Sequence, residues 1–229
     1  ELHNLLNIEQ LEPFLEKAWE QSGFSTLTPI QHKAIPLIID GKDVIAESPT
    51  GSGKTLAYLL PIIERIEVEQ KHTQVMILAS SQELVMQLNQ ELQAWTKDSG
   101  ITSATLIGGA NIKRQIEKLK KHPHIVLGTP GRIQELLKVK KLKVHKLTKL
   151  VFDEGDQLIT PEHIATIKGI INSTPKERQL LLFSATLPRT VVDEAKVIMN
   201  NPEVIRVKPE EVATPTVNHI YFVSETRKK

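Results

Sequence analysis

Cysteine is missing from all 229 residues of the chain. That excludes disulfides and thiolate metal sites, and it suits a reducing cytosol. Aromatic residues are scarce, at 4%. The two tryptophans, Trp19 and Trp95, fall on helix-period segments and read as packing residues rather than as platforms for stacked bases. No apolar run approaches the roughly 20 residues of a membrane span, and the first residues carry no signal-peptide pattern. Metal-ligand spacing is lacking too, because His122 and His124 flank Pro123 with no third ligand at a suitable interval. Neither sign of charge dominates. Lys and Arg number 29 against 27 Asp and Glu, a net charge of +2, so only local patches could argue for nucleic acid. Internal repeats and low-complexity tracts are absent as well.

What is present is an ordinary globular composition, 40% hydrophobic and 24% charged, in a length that suits one sizeable core. Short β-branched runs alternate with helix-period segments. Strands are expected at Asp43-Val44-Ile45-Ala46, Val75-Met76-Ile77-Leu78, Ala104-Thr105-Leu106-Ile107, Ile125-Val126-Leu127, Leu150-Val151-Phe152, Leu180-Leu181-Leu182-Phe183 and Val204-Ile205-Arg206-Val207. Helices are expected between them, near 56–60, 82–95, 112–120, 130–139, 162–171 and 190–199, with two more at about 8–21 and 30–39. Strands apolar on both faces and separated by helices imply an α/β fold, a doubly wound, mostly parallel sheet with helices on both faces. The expected organisation is one domain over residues 1–208, with a helical appendage at 1–41. Proline-punctuated polar residues at 208–216 read as a linker, and His219-Ile220-Tyr221-Phe222-Val223 reads as a further strand that opens a truncated second domain over 209–229. Glu1 in place of a methionine fits a trimmed piece of a longer protein.

Two stretches carry chemistry. Ser48-Pro49-Thr50-Gly51-Ser52-Gly53-Lys54-Thr55 sits where a strand hands over to a helix. Gly51 and Gly53 let successive N–H groups turn inward toward phosphate oxygens, at a helix N-terminus whose dipole favours anions. Lys54 would reach the terminal phosphates and the Thr55 hydroxyl would ligate magnesium. Ser48 stands where the general pattern has glycine. The bland alternative is a glycine-rich turn with a chance Gly-Lys-Thr. The second stretch is Asp153-Glu154-Gly155-Asp156, three acids at the tip of an apolar strand. Asp153 is placed to hold magnesium opposite Thr55, partly through water, and Glu154 to polarise an attacking water. A solvated acidic turn accounts for Asp156 but poorly for a pair of acids at the tip of a buried strand.

With these residues placed, the chain resembles the DEAD-box RNA helicases of superfamily 2, over nearly its whole length and in the first of that family's two RecA-like phosphate-loop domains. Asp153-Glu154-Gly155-Asp156 stands for the family's Asp-Glu-Ala-Asp, and Ser184-Ala185-Thr186 matches its Ser-Ala-Thr. Thr129-Pro130-Gly131-Arg132 matches its RNA-contacting element, and Gly108-Gly109 with Gln115 its double glycine and following glutamine. Gly23-Phe24 and Thr28-Pro29-Ile30-Gln31 match the adenine-reading Q motif, in which Gln31 would meet the adenine edge. The resemblance implies ATP and Mg²⁺ as cofactors and RNA gripped through its backbone with little base reading. It also implies a coupling role for Asp156, Ser184, Ala185 and Thr186, with Ser184 bonding Asp156. Within the family the chain looks most like short bacterial members that act on ribosomal precursors, cytoplasmic and monomeric.

Several residues depart from the family. Gln82 replaces an arginine, losing a forked donor near RNA. Leu6 aligns with the upstream aromatic that stacks on adenine, and Leu27 replaces a proline. Gly155 replaces alanine, a loss of one methyl expected to spare the chemistry and to loosen the turn by about 0.5–1 kcal/mol. The family's second domain carries arginine fingers worth about 10³–10⁵ in rate, so the chain alone is expected to hydrolyse ATP barely. An ATP-gated RNA clamp, or another phosphate-loop enzyme such as a small-molecule kinase, are the competing functions. The latter leaves Thr-Pro-Gly-Arg and Ser-Ala-Thr unexplained. Lysines at 138, 140, 141, 143, 146 and 149 read first as solvated helix ends, with an auxiliary RNA track as the alternative.

Overall fold

The computed structural model describes residues 1–212. Its centre is one seven-stranded sheet: β1 (Val44–Glu47), β2 (Val75–Leu78), β3 (Ser103–Leu106), β4 (Ile125–Gly128), β5 (Lys149–Asp153), β6 (Gln179–Ser184) and β7 (Glu203–Arg206). Every pairing is parallel and the spatial order is β3-β4-β2-β5-β6-β1-β7. Alternate residues of the central strands enter opposite cores, as the two-residue period of a strand requires. Ile77, Val151, Leu181 and Phe183 join one cluster, while Met76, Leu150, Phe152 and Leu182 join the other. Both faces are therefore apolar, which is why the central strands read as unbroken hydrophobic runs.

Helices α3 (Pro29–Ile39), α4 (Lys54–Arg65) and α5 (Gln82–Thr96) supply the first cluster. Helices α7 (Pro130–Lys138), α9 (Ile164–Asn172) and α10 (Arg189–Ile198) supply the second, and α6 (Ile112–Leu119) covers the β3 edge. The remaining elements are α1 (Leu2–Leu5), α2 (Pro13–Ser22) and the single turn α8 (Gly155–Leu158).

The N-terminal segment differs from expectation. A helix from residue 8 is not formed. α1 ends before Asn7, which takes φ +58°, and α2 starts at Pro13, whose fixed φ suits a first helical turn. α2 stops at Gly23 in the left-handed region, a common helix terminator. At the other end, residues 209–212 form a helical turn within the segment read as a linker. It is held by Lys33 Nζ to Glu211 at 3.1 Å and by Val212 against the first core. The strand expected at 219–223 lies outside the described residues.

Sheet order sets the site. β6 lies between β1 and β5, so the C-terminal ends of three adjacent strands carry the glycine-rich loop, the Ser-Ala-Thr segment and the acids side by side. Register places Glu47 beside Ser184, and Asp153 beside Phe183.

Candidate functional site

The loop 48–53 leaves β1 and delivers Lys54 and Thr55 as the first residues of α4. Gly51 and Gly53 both need the left-handed region, at φ +79° and +88°. Gly53 has a second constraint: a Cβ there would come within 2.6 Å of Gln31 Nε2 and 2.8 Å of Thr28 Oγ1. Ser48, the departure from the general pattern, is fully buried and joins Ser52 through their hydroxyls at 2.5 Å. Its N–H donates to the Ser184 carbonyl at 3.0 Å, so the loop is anchored to β6. Pro49 accepts from the Ser52 N–H at 3.2 Å, while Thr50 and Gly51 stand exposed at the rim.

Gln31 is 3% exposed and its amide is engaged twice. Its oxygen accepts from the Thr28 N–H at 2.9 Å, and its nitrogen donates to the Gly53 carbonyl at 3.2 Å. It thus ties α3 to the phosphate loop. The Thr28 hydroxyl beside it is buried without a hydrogen-bond partner. Phe24 is half exposed and lies parallel to Trp95, with ring centroids 6.4 Å apart, while Trp19 tilts against both. Leu6 cannot cover an adenine. It has no exposed surface and packs in the core, so the aromatic surface at the cavity mouth belongs to Phe24 instead.

These residues enclose a cavity of about 380 Å³ that also reaches Asp153, Glu154 and Glu91. Asp153 is 8% exposed, and burial raises its pKa despite the opposing pull of Tyr58 and Lys54. Tyr58, wholly buried, donates its hydroxyl to Asp153 Oδ2 and also bonds the Thr55 side chain. One phenol therefore links the two residues expected to hold a cation. Burial lowers the pKa of Lys54, and the carboxylates of Asp153, Glu154 and Asp156 pull it back up. Glu91 on α5 has its pKa raised by burial first and by Asp153 second. Sequence reasoning missed Tyr58 and Glu91. Tyr58 was findable, since it lies three and four residues after Thr55 and Lys54 and so shares their helix face.

Glu154 takes φ +48° and ψ +54°, a costly backbone state for a residue with a Cβ, and its side chain is exposed. Gly155 begins α8 with no room for a side chain. A Cβ would lie within 2.6 Å of Leu182 Cδ2 and nearer still to Cγ. This corrects the expectation of a merely looser turn, because the missing methyl is occupied space. Asp156 accepts from the Thr186 hydroxyl at 2.9 Å. Ser184 does not bond Asp156 as expected. Its hydroxyl donates to the Thr186 carbonyl at 2.6 Å, so Thr186 makes the cross-strand contact and Ala185 is an exposed spacer.

At the ends of β3 and β4, Gly108 and Gly109 form an exposed turn beside the Thr129-Pro130-Gly131 start of α7. Thr129 N–H donates to the Leu106 carbonyl at 3.1 Å, Pro130 is buried, and Gly131 is open to solvent. Arg132 and Gln115, expected to contact RNA, are engaged within the protein. Arg132 donates to the carbonyls of Gly108 at 3.1 Å and Ala110 at 3.2 Å, to Gln115 Oε1 at 2.9 Å and to Glu135 at 2.9 Å. Gln115 is 3% exposed and donates to the Ile107 carbonyl at 2.9 Å. Together they brace the glycine turn. Gln82 lies on that turn as well, since a Cβ on Gly109 would come within 2.6 Å of its Nε2.

The residues present fit a nucleotide with a divalent cation. Gly53 leaves a cradle that a Cβ would fill, Thr28 offers an unpartnered buried hydroxyl, and Thr55 with Asp153 offers the all-oxygen donor set that magnesium prefers. A parallel sheet with this loop on one strand and paired acids two strands away defines a RecA-like phosphate-loop nucleotide-binding domain. The DEAD/DEAH box helicase model matches residues 28–195, and the chain belongs to that family. It is 52% identical over 222 residues to the probable ATP-dependent RNA helicase YfmL of Bacillus subtilis, covering 97% of this chain and 59% of that protein. It is 49% identical to the DEAD-box ATP-dependent RNA helicase CshC of Bacillus cereus, covering 97% and 57%. The chain thus spans less than two thirds of the length of these relatives. Among solved structures, a DEAD box protein of Methanococcus jannaschii superposes with a TM-score of 0.82 at 32% identity, covering 88% of this chain and 55% of that one. Saccharomyces cerevisiae Dbp5 bound to RNA and ADP BeF3 gives 0.81 at 30%, covering 92% and 53%.

Proposed function

We propose that this chain is the N-terminal ATP-binding domain of an ATP-dependent RNA helicase, and that turnover and duplex opening need a second RecA-like domain in a longer protein. The gathering of Lys54, Thr55, Asp153 and the Gln31-tethered loop around one cavity is the observation that carries the reading. Mg²⁺, when bound, neutralises charge on the β- and γ-phosphates. Thr55 and Asp153 would hold it, Lys54 would meet the terminal phosphates, and Glu154 would take up the proton of the attacking water. Gln31 would present its remaining amide proton to adenine, and Phe24 an aromatic face. RNA backbone would lie on the Gly108-Gly109 turn and on the exposed N-terminus of α7. The Thr186–Asp156 bond supports coupling between the acids and β6. A cytoplasmic, monomeric protein acting on ribosomal precursors belongs to this reading through family resemblance alone.

The test is calorimetric titration with Mg-ATP and Mg-GTP, then ATPase of a full-length form with and without RNA. Lys54→Ala should weaken ATP binding, Gln31→Ala should narrow the preference for ATP over GTP, and RNA should stimulate turnover only when both domains are present. RNA-stimulated turnover by this chain alone at the full-length rate would sink the division of labour. Unchanged ATP affinity in Lys54→Ala would sink the site.

A further inference from the structure

Loops entering β2, β4 and β5 meet at the end of the sheet opposite the nucleotide cavity. They enclose a second cavity of about 470 Å³. Of its thirteen lining residues, six are lysines (Lys71, Lys120, Lys140, Lys141, Lys143 and Lys146), three are histidines, and none is acidic. The rest of the chain does not share this bias, since the whole carries only +2 and, without these six lysines, acidic residues outnumber basic ones. Among the described residues only Lys120 of the six forms an ion pair, with Glu117 at 2.8 Å. Lysines near the ends of α6 and α7 are favoured by the helix dipole, which accounts for Lys120 and Lys140. It does not account for Lys71, in the loop before β2, or for Lys143 and Lys146, farther along the loop between α7 and β5. Like charges so crowded repel, and a fold selected for stability alone would intersperse carboxylates.

We infer that this cavity is a second RNA-binding site, one that takes the phosphodiester backbone. It rests on the family reading of the Gly108-Gly109 face. Ammonium groups on long stems, with no Phe, Tyr or Trp among the lining residues, suit the phosphate backbone. A path also joins the two sites. α6 begins at Ile112, capped by Asn111 just after the glycine turn, and its eight residues span about 12 Å down to the cavity. Lys113, Arg114, Lys118 and Lys121 are exposed along it. A strand leaving the glycine turn can therefore follow α6 into the lysine cavity. This favours RNA over an acidic protein, which would have no reason to share that path.

The experiment compares wild type with the quadruple variant Lys140→Gln, Lys141→Gln, Lys143→Gln, Lys146→Gln. Fluorescence anisotropy reads binding of a 10-nucleotide and a 30-nucleotide single-stranded RNA across a salt series, with Mg-ATP affinity as a control on folding. Wild type should bind the longer RNA more tightly. The variant should lose that gain, by about tenfold or more, with a salt slope shallower by up to about 3, since each neutralised single-strand phosphate contact contributes about 0.7. Binding of the short RNA and of nucleotide should be unchanged. A variant that keeps the length-dependent gain and the slope, while the short RNA still binds, overturns the second site and leaves the family reading intact. Failure of wild type to bind either RNA overturns both. Tighter binding of polyglutamate than of the long RNA, abolished in the quadruple variant, would assign the cavity to an acidic protein and overturn the proposal.

Discussion

At the scale of single residues, Gly155 carries the sharpest consequence. In a sequence it is a missing methyl in a family signature, but in space it faces the Cγ of buried Leu182. Gly155→Ala should therefore destabilise by about 1–3 kcal/mol through overpacking, although alanine is the better helix former. Combining it with Leu182→Ala should cost less than the sum of the two single changes, and a double-mutant cycle by chemical denaturation reads the difference. Strict additivity would remove the clash as the cause. Tyr58 makes a different kind of claim. Its hydroxyl fixes Asp153 and touches Thr55, so Tyr58→Phe leaves a buried carboxylate short of a donor, at a cost of about 1–3 kcal/mol. A severalfold rise in the Mg²⁺ concentration that half-saturates ATP binding should accompany that loss. An unchanged Mg²⁺ requirement would reduce Tyr58 to a packing residue. Asp153 itself is held at a stability cost. Burial raises its folded pKa, so its contribution is favourable while it is protonated and is lost as pH rises through that raised value. Asp153→Asn removes the titration. In thermal melts without nucleotide the advantage of the variant should grow as pH rises from the ordinary carboxylate value of 3.8 through the raised folded value and then level off, while Mg-ATP binding is lost.

At the scale of elements, the central strands were legible because they are apolar on both faces and bounded by turn residues, while β3 and β7 bury one face only. β2 and β6 occupy the expected runs or extend them by a residue. Boundaries set by one backbone angle were not legible: Asn7 could have continued a helix, and only its positive φ ends α1. The single-turn α8 was hidden for a related reason, since four residues show no helical period. Of the site, the loop and the acids could be read because their spacing is dictated by phosphate and metal. Roles that depend on who meets whom across the sheet could not. Arg132 is the clearest case, a motif residue whose guanidinium braces the turn between β3 and α6 rather than standing free. If bracing is its task, Arg132→Ala should weaken RNA binding and raise amide exchange at residues 108–110. Arg132→Lys should rescue neither, because an ammonium cannot span two carbonyls and a glutamine in one plane. Rescue of RNA affinity by lysine would instead show a direct phosphate contact.

At the scale of the whole molecule, the sheet separates two anion sites of unlike construction. One end has glycine backbone, a helix N-terminus and the oxygen side chains of Thr55 and Asp153. The other has lysine ammonium groups on loops. Between them run strands of four to six residues, about 13–20 Å at the usual rise. The core on both faces is apolar and close-packed, with few buried polar groups to rearrange between the ends. Sites that far apart with no shared partners should act independently in folding energy, to within about 0.3–0.5 kcal/mol. The prediction is that Lys54→Ala and the quadruple lysine variant add in denaturant unfolding, and that neither alters the other's ligand affinity in this chain. A coupling above about 1 kcal/mol would mean that the sheet shifts as a unit between two arrangements. RNA captured at the lysine end could then bias the phosphate loop without any second domain.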